Sequence, residues 1–345
     1  MGIDTIATTS TDNMNTQTIF VSGATGFIAQ HLILQLLAKG YKVVGSVRSI
    51  AKGENLQQNM NSKNFNYEIV EDLQKEGAFE TALLKHPDVT VFIHTASPVT
   101  FDSDDVEKDL LFPAINGTKN VLAAIKNVSP QITRVVITSS IAAIMNPDHD
   151  PTIMVDESTW NPTTWELAKI NGCFGYFASK KFAERAAWEF LESERPNFTL
   201  TTINPAFVFG PQAFDSEVTS KLNLSNAIIS DLLKIKPGEP VPDKSDPSID
   251  VRDVATAHII AIEKIEAIGK RIILKNEDYS NQLILDAINK GVPELRGKIA
   301  IGTPGTKKPL NFFNDQKSRQ LLGLNYTSLE TSVIETVRQF IKYQK

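Results

Sequence analysis

Tyr176 and Lys180 stand four residues apart in the run Tyr176-Phe177-Ala178-Ser179-Lys180. On a helix, positions i and i+4 share a face, so the phenol and the ammonium would be neighbours. An unperturbed phenol has a pKa of about 10 and is a poor proton donor or acceptor near neutrality. A cation within about 4–6 Å favours the phenolate, so this spacing leads us to expect a lowered Tyr176 pKa. A phenol tuned in this way can hand a proton to a nascent alkoxide, or take one in reverse. Ser139 and Ser140 end a strand-like run, Arg134–Ser140, and either hydroxyl could donate to the same oxygen. The alternative for both is capping of the next segment. Asn116 is a candidate for a supporting role, or a satisfied helix amide. Ala183 and Ala187 continue the face of Tyr176 and Lys180, and small residues there suit close approach to a ligand or to a neighbouring element.

A second group of residues reads as an anion cradle. Thr18–Ala29 runs TIFVSGATGFIA: a buried strand (Ile19, Phe20, Val21), a glycine turn, and the first turn of a helix. Gly23 can turn tightly because it lacks Cβ. Ala24 and Thr25 complete the turn, and Gly26 lets backbone N–H groups approach a bulky anion. The helix starting near Phe27 and Ile28 points its positive end there. The spacing Gly23-x-x-Gly26-x-x-Ala29, between an apolar strand and an amphipathic helix (Ile28, Leu32, Ile33, Leu36, Leu37), points to a dinucleotide pyrophosphate rather than a plain tight turn. About 20 residues past the glycines, where such folds place a carboxylate for a ribose 2′-OH, there is no acid. Ser46, Arg48 and Ser49 occupy that place, with Lys52 four residues on. Arg48 offers a planar fork for a phosphate, so NADP(H) is the expected cofactor. Past the third strand, Asp72 can accept from an adenine amino group with Leu73 against the ring, or simply cap a turn.

These groups need a scaffold, and the chain is long enough for one large or two moderate domains. It has 345 residues, 41% hydrophobic and 22% charged, an ordinary globular balance. Lys+Arg 35 against Asp+Glu 40 gives −5, which disfavours non-specific nucleic-acid binding. The single cysteine, Cys173, excludes an internal disulfide and suits a reducing cytoplasm. No apolar run is long enough to span a bilayer. Met1–Gln17 is Thr/Asn/Ser-rich, unlike a secretory signal, and reads as a disordered tail. No clustered His/Cys/Asp/Glu set suggests a metal.

Short, nearly continuous apolar strands alternate with helices: Tyr41–Val47, Phe65–Val70, Thr90–Thr95, Arg134–Ser140 and Leu200–Asn204 follow the first. His94, mid-strand, is expected to pack in the sheet. Thr95 and Ala96 end the fourth strand at the edge where ligands of such sheets lie, and Pro205 ends the sixth. Phe101–Asp109 reads as an acidic loop, followed by a long helix through Asn127. Phe174–Glu194 is a strong helix. The pattern predicts an α/β fold: a Rossmann-type doubly wound parallel sheet with right-handed crossovers, and a smaller C-terminal α/β substrate lobe. The expected division is 1–17 tail, 18–205 cofactor domain with a contribution from about 249–264, and 206–345 substrate lobe.

The motifs GATGFIA, HTASP, the Asn-Gly-Thr of the helix, ITSS, YFASK, NPAFVFGP and DVRDVA together resemble the extended short-chain dehydrogenases/reductases. The resemblance is closest to the yeast NADPH-dependent carbonyl reductases that act on methylglyoxal and isovaleraldehyde, relatives of plant dihydroflavonol reductases. It runs from about Thr18 to the C-terminus. It implies Ser140, Tyr176 and Lys180 as the catalytic set, with Asn116 assisting and Ser140 preferred to Ser139. It implies Gly23–Ile28, Arg48, Lys52, Asp72, Leu73, Val208 and Ser225 around NADPH, with Thr95, Ala96 and Pro205 at the strand ends. The substrate-facing positions, Val99, Phe101, Ile141 and Phe207, are apolar here and read either as a pocket for a hydrophobic substituent of a small-molecule carbonyl substrate or as core. The expected protein is a cytoplasmic carbonyl reductase, with a homodimer as one possibility. Two other readings share these features. One is a nucleotide-sugar epimerase or dehydratase, which the Arg48 position and the Ser139-Ser140 pair oppose. The other is a non-catalytic NADP(H)-binding regulator, which the presence of both Tyr176 and Lys180 opposes.

Overall fold

A computed structural model of the chain describes residues 17–97, 104–219, 222–306, 310 and 312–343. The elements run β1 (Thr18–Ser22), α1 (Phe27–Ala38), β2 (Lys42–Val47), α2 (Ile50–Met60), β3 (Phe65–Ile69), α3 (Glu80–Leu84), β4 (Val89–His94), α4 (Phe112–Val128), β5 (Arg134–Thr138), α5 (Trp165–Ala168) and α6 (Gly172–Glu194). They continue with β6 (Thr199–Pro205), β7 (Phe207–Phe209), α7 (Leu224–Leu232), β8 (Ser245–Asp250), α8 (Val251–Glu263), β9 (Arg271–Leu274), β10 (Asp278–Ser280), α9 (Asn281–Gly291), α10 (Gln316–Leu322) and α11 (Leu329–Tyr343).

Seven strands form one sheet in the order β3-β2-β1-β4-β5-β6-β9, with every pair parallel. The order reverses at β1, whose neighbours are β2 and β4, so the carboxyl ends of β1 and β4 flank the crevice where ligands of doubly wound sheets bind. Alternation along β1 shows why the strands read as solid apolar runs: both faces are covered. Ile19 and Val21 pack against Leu32 and Ile33 of α1 and Val254 of α8. Phe20 faces the other way, stacked 5.0 Å from Phe92 and edge-on to Phe79, among Val121, Leu122 and Ile125 of α4.

A second sheet, β10-β8-β7, buries Phe209 and Tyr279 against α7, α9 and α11. Two features depart from the sequence reading. The sheet does not stop at β6: the chain returns from the C-terminal part to add β9, a four-residue run too short to stand out as a strand. The acidic stretch before α4 is not all loop, since Glu107–Leu111 forms a π-helical turn leading into that helix. Among the described residues no helix is long and apolar enough to cross a membrane.

Candidate active site

The glycine turn is held by backbone geometry. Gly23 has φ +67, and a Cβ there would lie 2.9 Å from the Ala96 Cα, so the close approach of the β1 and β4 ends requires glycine. The Gly23 N–H donates to Ser46 Oγ at 3.1 Å and the Ala24 N–H to the Ser46 carbonyl at 2.9 Å, bracing the turn against β2. Gly26 begins α1 in extended backbone with no side-chain cap, which leaves the helix's positive end to a ligand. Beneath it, Ser22 Oγ sits 2.7 Å from His94 Nδ1 and accepts the N–H groups of Thr95 and Ala96 at 3.1 and 3.2 Å. His94 is buried, and burial first, then the charge of Lys180, lowers its pKa to about 3. It stays neutral and structural.

A cavity of about 610 Å³ opens from this turn, lined by Gly23, Thr25, Gly26, Ser46, Arg48, Asp72, Leu73, Thr95 and Ala96 among others. Arg48 is exposed at its wall. Lys52 is exposed on the first turn of α2 and does not line it. Asp72 Oδ1 accepts from the Gln74 N–H at 2.9 Å, so its carboxylate both closes a turn and faces the cavity. Leu73 packs where Gly117 lacks a side chain.

A second cavity of about 450 Å³ shares Gly26, Thr95 and Ser97 with the first, so the two form one cleft. Its lining holds Ser139, Ser140, Tyr176 and Lys180, together with Phe27, Ile28, Pro205, Val208 and Ser225. Asn171 caps α6 by accepting the Phe174 N–H at 3.0 Å, which sets the helix that carries both side chains. Lys180 Nζ lies 5.8 Å from the centre of the Tyr176 ring. The adjacent serines diverge. Ser140 Oγ accepts the Ala142 N–H at 3.1 Å and hydrogen-bonds with the Tyr176 phenol, whereas Ser139 Oγ donates to Glu184 at 2.5 Å.

The electrostatics correct one expectation. Burial pushes the Tyr176 phenol above its ordinary pKa, and the Ser140 hydrogen bond only partly opposes this. Burial also lowers Lys180 to about 8. Desolvation acts on both members of the pair and penalises each charged form, so the phenol is raised where the spacing predicts a lowering.

Asn116 also departs from expectation. It is exposed, because α4 turns Ala114, Gly117, Thr118 and Val121 inward, and it lines neither cavity. Ile141 and Phe207 do line the smaller cavity. Val99 and Phe101 lie outside the described residues. The sequence reading missed Met145, Leu224 and Asp246, which line the same wall. Asp246 stood in a Pro/Asp-rich stretch with no motif, and only the pairing of β8 with β7 and β10 brings it there. A further cavity of about 540 Å³ between 237–244 and 280–282 holds none of the proposed catalytic side chains.

The arrangement can hold a long anionic ligand at the glycine turn and present a hydroxyl, a phenol and an ammonium at its far end. Comparisons agree with that chemistry. Residues 20–282 match the 3-beta hydroxysteroid dehydrogenase/isomerase family. The NADPH-dependent methylglyoxal reductase GRE2 of Saccharomyces cerevisiae is 42% identical over 337 residues, 94% of this chain and 98% of that protein. The ketoreductase azaE of Aspergillus niger is 39% identical over 331 residues, 94% and 97% of the two chains. The crystal structure of Candida albicans Gre2 in complex with NADPH superposes with a TM-score of 0.92 at 49% identity, covering 95% of this chain and 100% of that one.

Proposed function

The chain belongs to the 3-beta hydroxysteroid dehydrogenase/isomerase family, a branch of the extended short-chain dehydrogenases/reductases, and we propose that it reduces aldehydes or ketones to alcohols with NADPH. The observation that carries this is the single cleft: the glycine turn and Arg48 at one end, Ser140, Tyr176 and Lys180 at the other. The glycine contact, the uncapped start of α1 and the exposed guanidinium fit a dinucleotide bearing a 2′-phosphate. When bound, NADPH supplies the hydride that adds to the carbonyl carbon.

The protein's residues handle the oxygen. Ser140 Oγ donates a hydrogen bond to the carbonyl oxygen and polarises it. Tyr176 Oη gives that oxygen its proton as negative charge develops. A raised phenol pKa keeps Tyr176 protonated through the neutral range, as a donor requires. Lys180 holds positive charge beneath the site and is placed to hold the nicotinamide ribose. Arg48 takes the 2′-phosphate, while Asp72 and Leu73 flank the adenine. Ile141, Met145, Phe177, Phe207 and Leu224 give the substrate end an apolar wall, suited to a hydrophobic substituent on the carbonyl. The same reading includes cytoplasmic residence, which the single cysteine supports, and a homodimer, which light scattering would test.

The test is oxidation of NADPH and NADH against small and bulky aldehydes and ketones, beside Tyr176→Phe. Turnover is expected to fall by about 10²–10⁴-fold in that variant with NADPH binding retained. Normal turnover by Tyr176→Phe would refute the proton-donor role, and tight NADPH binding without oxidation by any carbonyl would favour a regulator.

A further inference from the structure

Glu184 is a buried carboxylate for which the reduction described above has no task. It lies on α6 one turn beyond Lys180, and its side chain is fully buried. Donors from three strands or strand ends converge on it. Ser139 Oγ, just past β5, and Asn204 Nδ2 of β6 reach Oε2 at 2.5 and 2.7 Å. Thr202 Oγ1 of β6 and Arg271 Nε of β9 reach Oε1 at 3.2 and 2.5 Å, with Trp188 Nε1 at 3.4 Å. The Arg271 guanidinium is fixed in turn, donating to the Glu157 and Thr159 carbonyls and lying 3.8 Å over the Trp160 ring.

The Asn204 amide is shared. Its Nδ2 also donates to the Ser140 carbonyl at 3.1 Å. Ser139 is pinned on its backbone side as well, where its N–H donates to the Ile203 carbonyl at 2.7 Å. Both residues that set the direction of the chain at Ser140 therefore answer to one carboxylate. We infer that Glu184 is a positioning residue, which fixes the turn at Ser139-Ser140 and so aims the Ser140 hydroxyl at the reacting oxygen beside Tyr176. A network of charge-assisted bonds in a dry interior is stiff, and small misplacements at a reacting centre cost rate steeply. The inference rests on the reading of Ser140 as the polarising hydroxyl.

The experiment places Glu184→Gln and Ser139→Ala each in the wild-type and in the Ser140→Ala background. It reads kcat and KM with a carbonyl that the wild-type enzyme reduces, and NADPH Kd by fluorescence. Glu184→Gln should lower kcat by about ten- to a hundredfold with NADPH Kd unchanged, and Ser139→Ala should lower it less. In the Ser140→Ala background neither change should lower kcat further, because the hydroxyl they aim is already gone. Should Glu184→Gln fail to fold with Arg271 left unpaired, Ser139→Ala decides, since it keeps the Glu184–Arg271 ion pair. Unchanged kcat in the wild-type background overturns the inference, as does the same fold-loss in both backgrounds or a parallel loss of NADPH affinity. Wild-type turnover by Ser140→Ala alone would instead remove the reading on which the inference rests, and the inference with it.

Discussion

At the nucleotide end of the cleft, Gly23, Ser46 and Ala96 meet through backbone atoms and one serine hydroxyl, at the ends of three adjacent strands. At the substrate end, Ile141, Phe207, Leu224 and Asp246 come from four separate segments and contribute side chains to one wall. The first end is fixed by the sheet itself, so a small change there has no slack to absorb it. The second is a mostly apolar surface, with Asp246 as its carboxylate, over which substituents can be exchanged at modest cost. The fold thus separates a rigid grip on the cofactor from an adjustable grip on the carbonyl.

The largest effect that could break this contrast is at Gly23. Gly23→Val puts a branched side chain at φ +67 and against the Ala96 backbone, where L residues are strained and no flexible neighbour can move aside. NADPH binding should weaken by more than about a hundredfold, read by fluorescence titration. Retained affinity would show that the turn has the slack denied to it here. Arg48→Ala comes next. Losing a charge-assisted contact to the 2′-phosphate should weaken NADPH by about 10–100-fold and leave NADH nearly unchanged, and equal effects on both would remove the phosphate role.

The same contrast explains what could be read from the chain. The glycine turn, the absence of an acid near Arg48, and the four-residue spacing of Tyr176 and Lys180 are local, so sequence spacing translates directly into geometry. The direction of the Tyr176 pKa was not legible, because it depends on burial supplied by distant segments. The exposure of Asn116 was not legible either, because it depends on which face of α4 meets α6 and β4. β9, a four-residue run, and Asp246, at the polar start of β8, were missed for one reason: each acquires its role only from a pairing partner far along the chain.

The pH dependence joins the two ends. With the phenol raised and Lys180 near 8, the group that titrates first as pH rises is the ammonium. The kcat/KM for reduction should be flat below about pH 8 and fall above it as Lys180 loses its proton, whereas a lowered phenol would bring the fall to more acidic pH. Folding stability should respond with the opposite sign. Lys180 binds its proton less tightly folded than unfolded, so between about 8 and its ordinary value of 10.5 the unfolded state holds more protons and this group makes stability rise with pH. Urea titrations across that window should show the slope, and Lys180→Met should flatten it.

The smallest effect belongs to the substrate wall. Phe207 is half-buried, 5.5 Å edge-on from Tyr279 and with the Lys244 ammonium 5.4 Å over its ring, while its backbone is held by the pairing of β7 with β8 and Tyr279 by its own pairing and by Phe209. Phe207→Ala should raise KM for a bulky hydrophobic ketone by about tenfold and barely change KM for a small aldehyde, with kcat and NADPH affinity kept. A pocket wall that binds ground state and transition state alike behaves in this way, since it supplies uniform binding and leaves the proton transfer untouched. If the variant instead lost kcat on both substrates, Phe207 would belong with the rigid end of the cleft, and the division between a fixed cofactor grip and an adjustable carbonyl grip would have to be redrawn along β7.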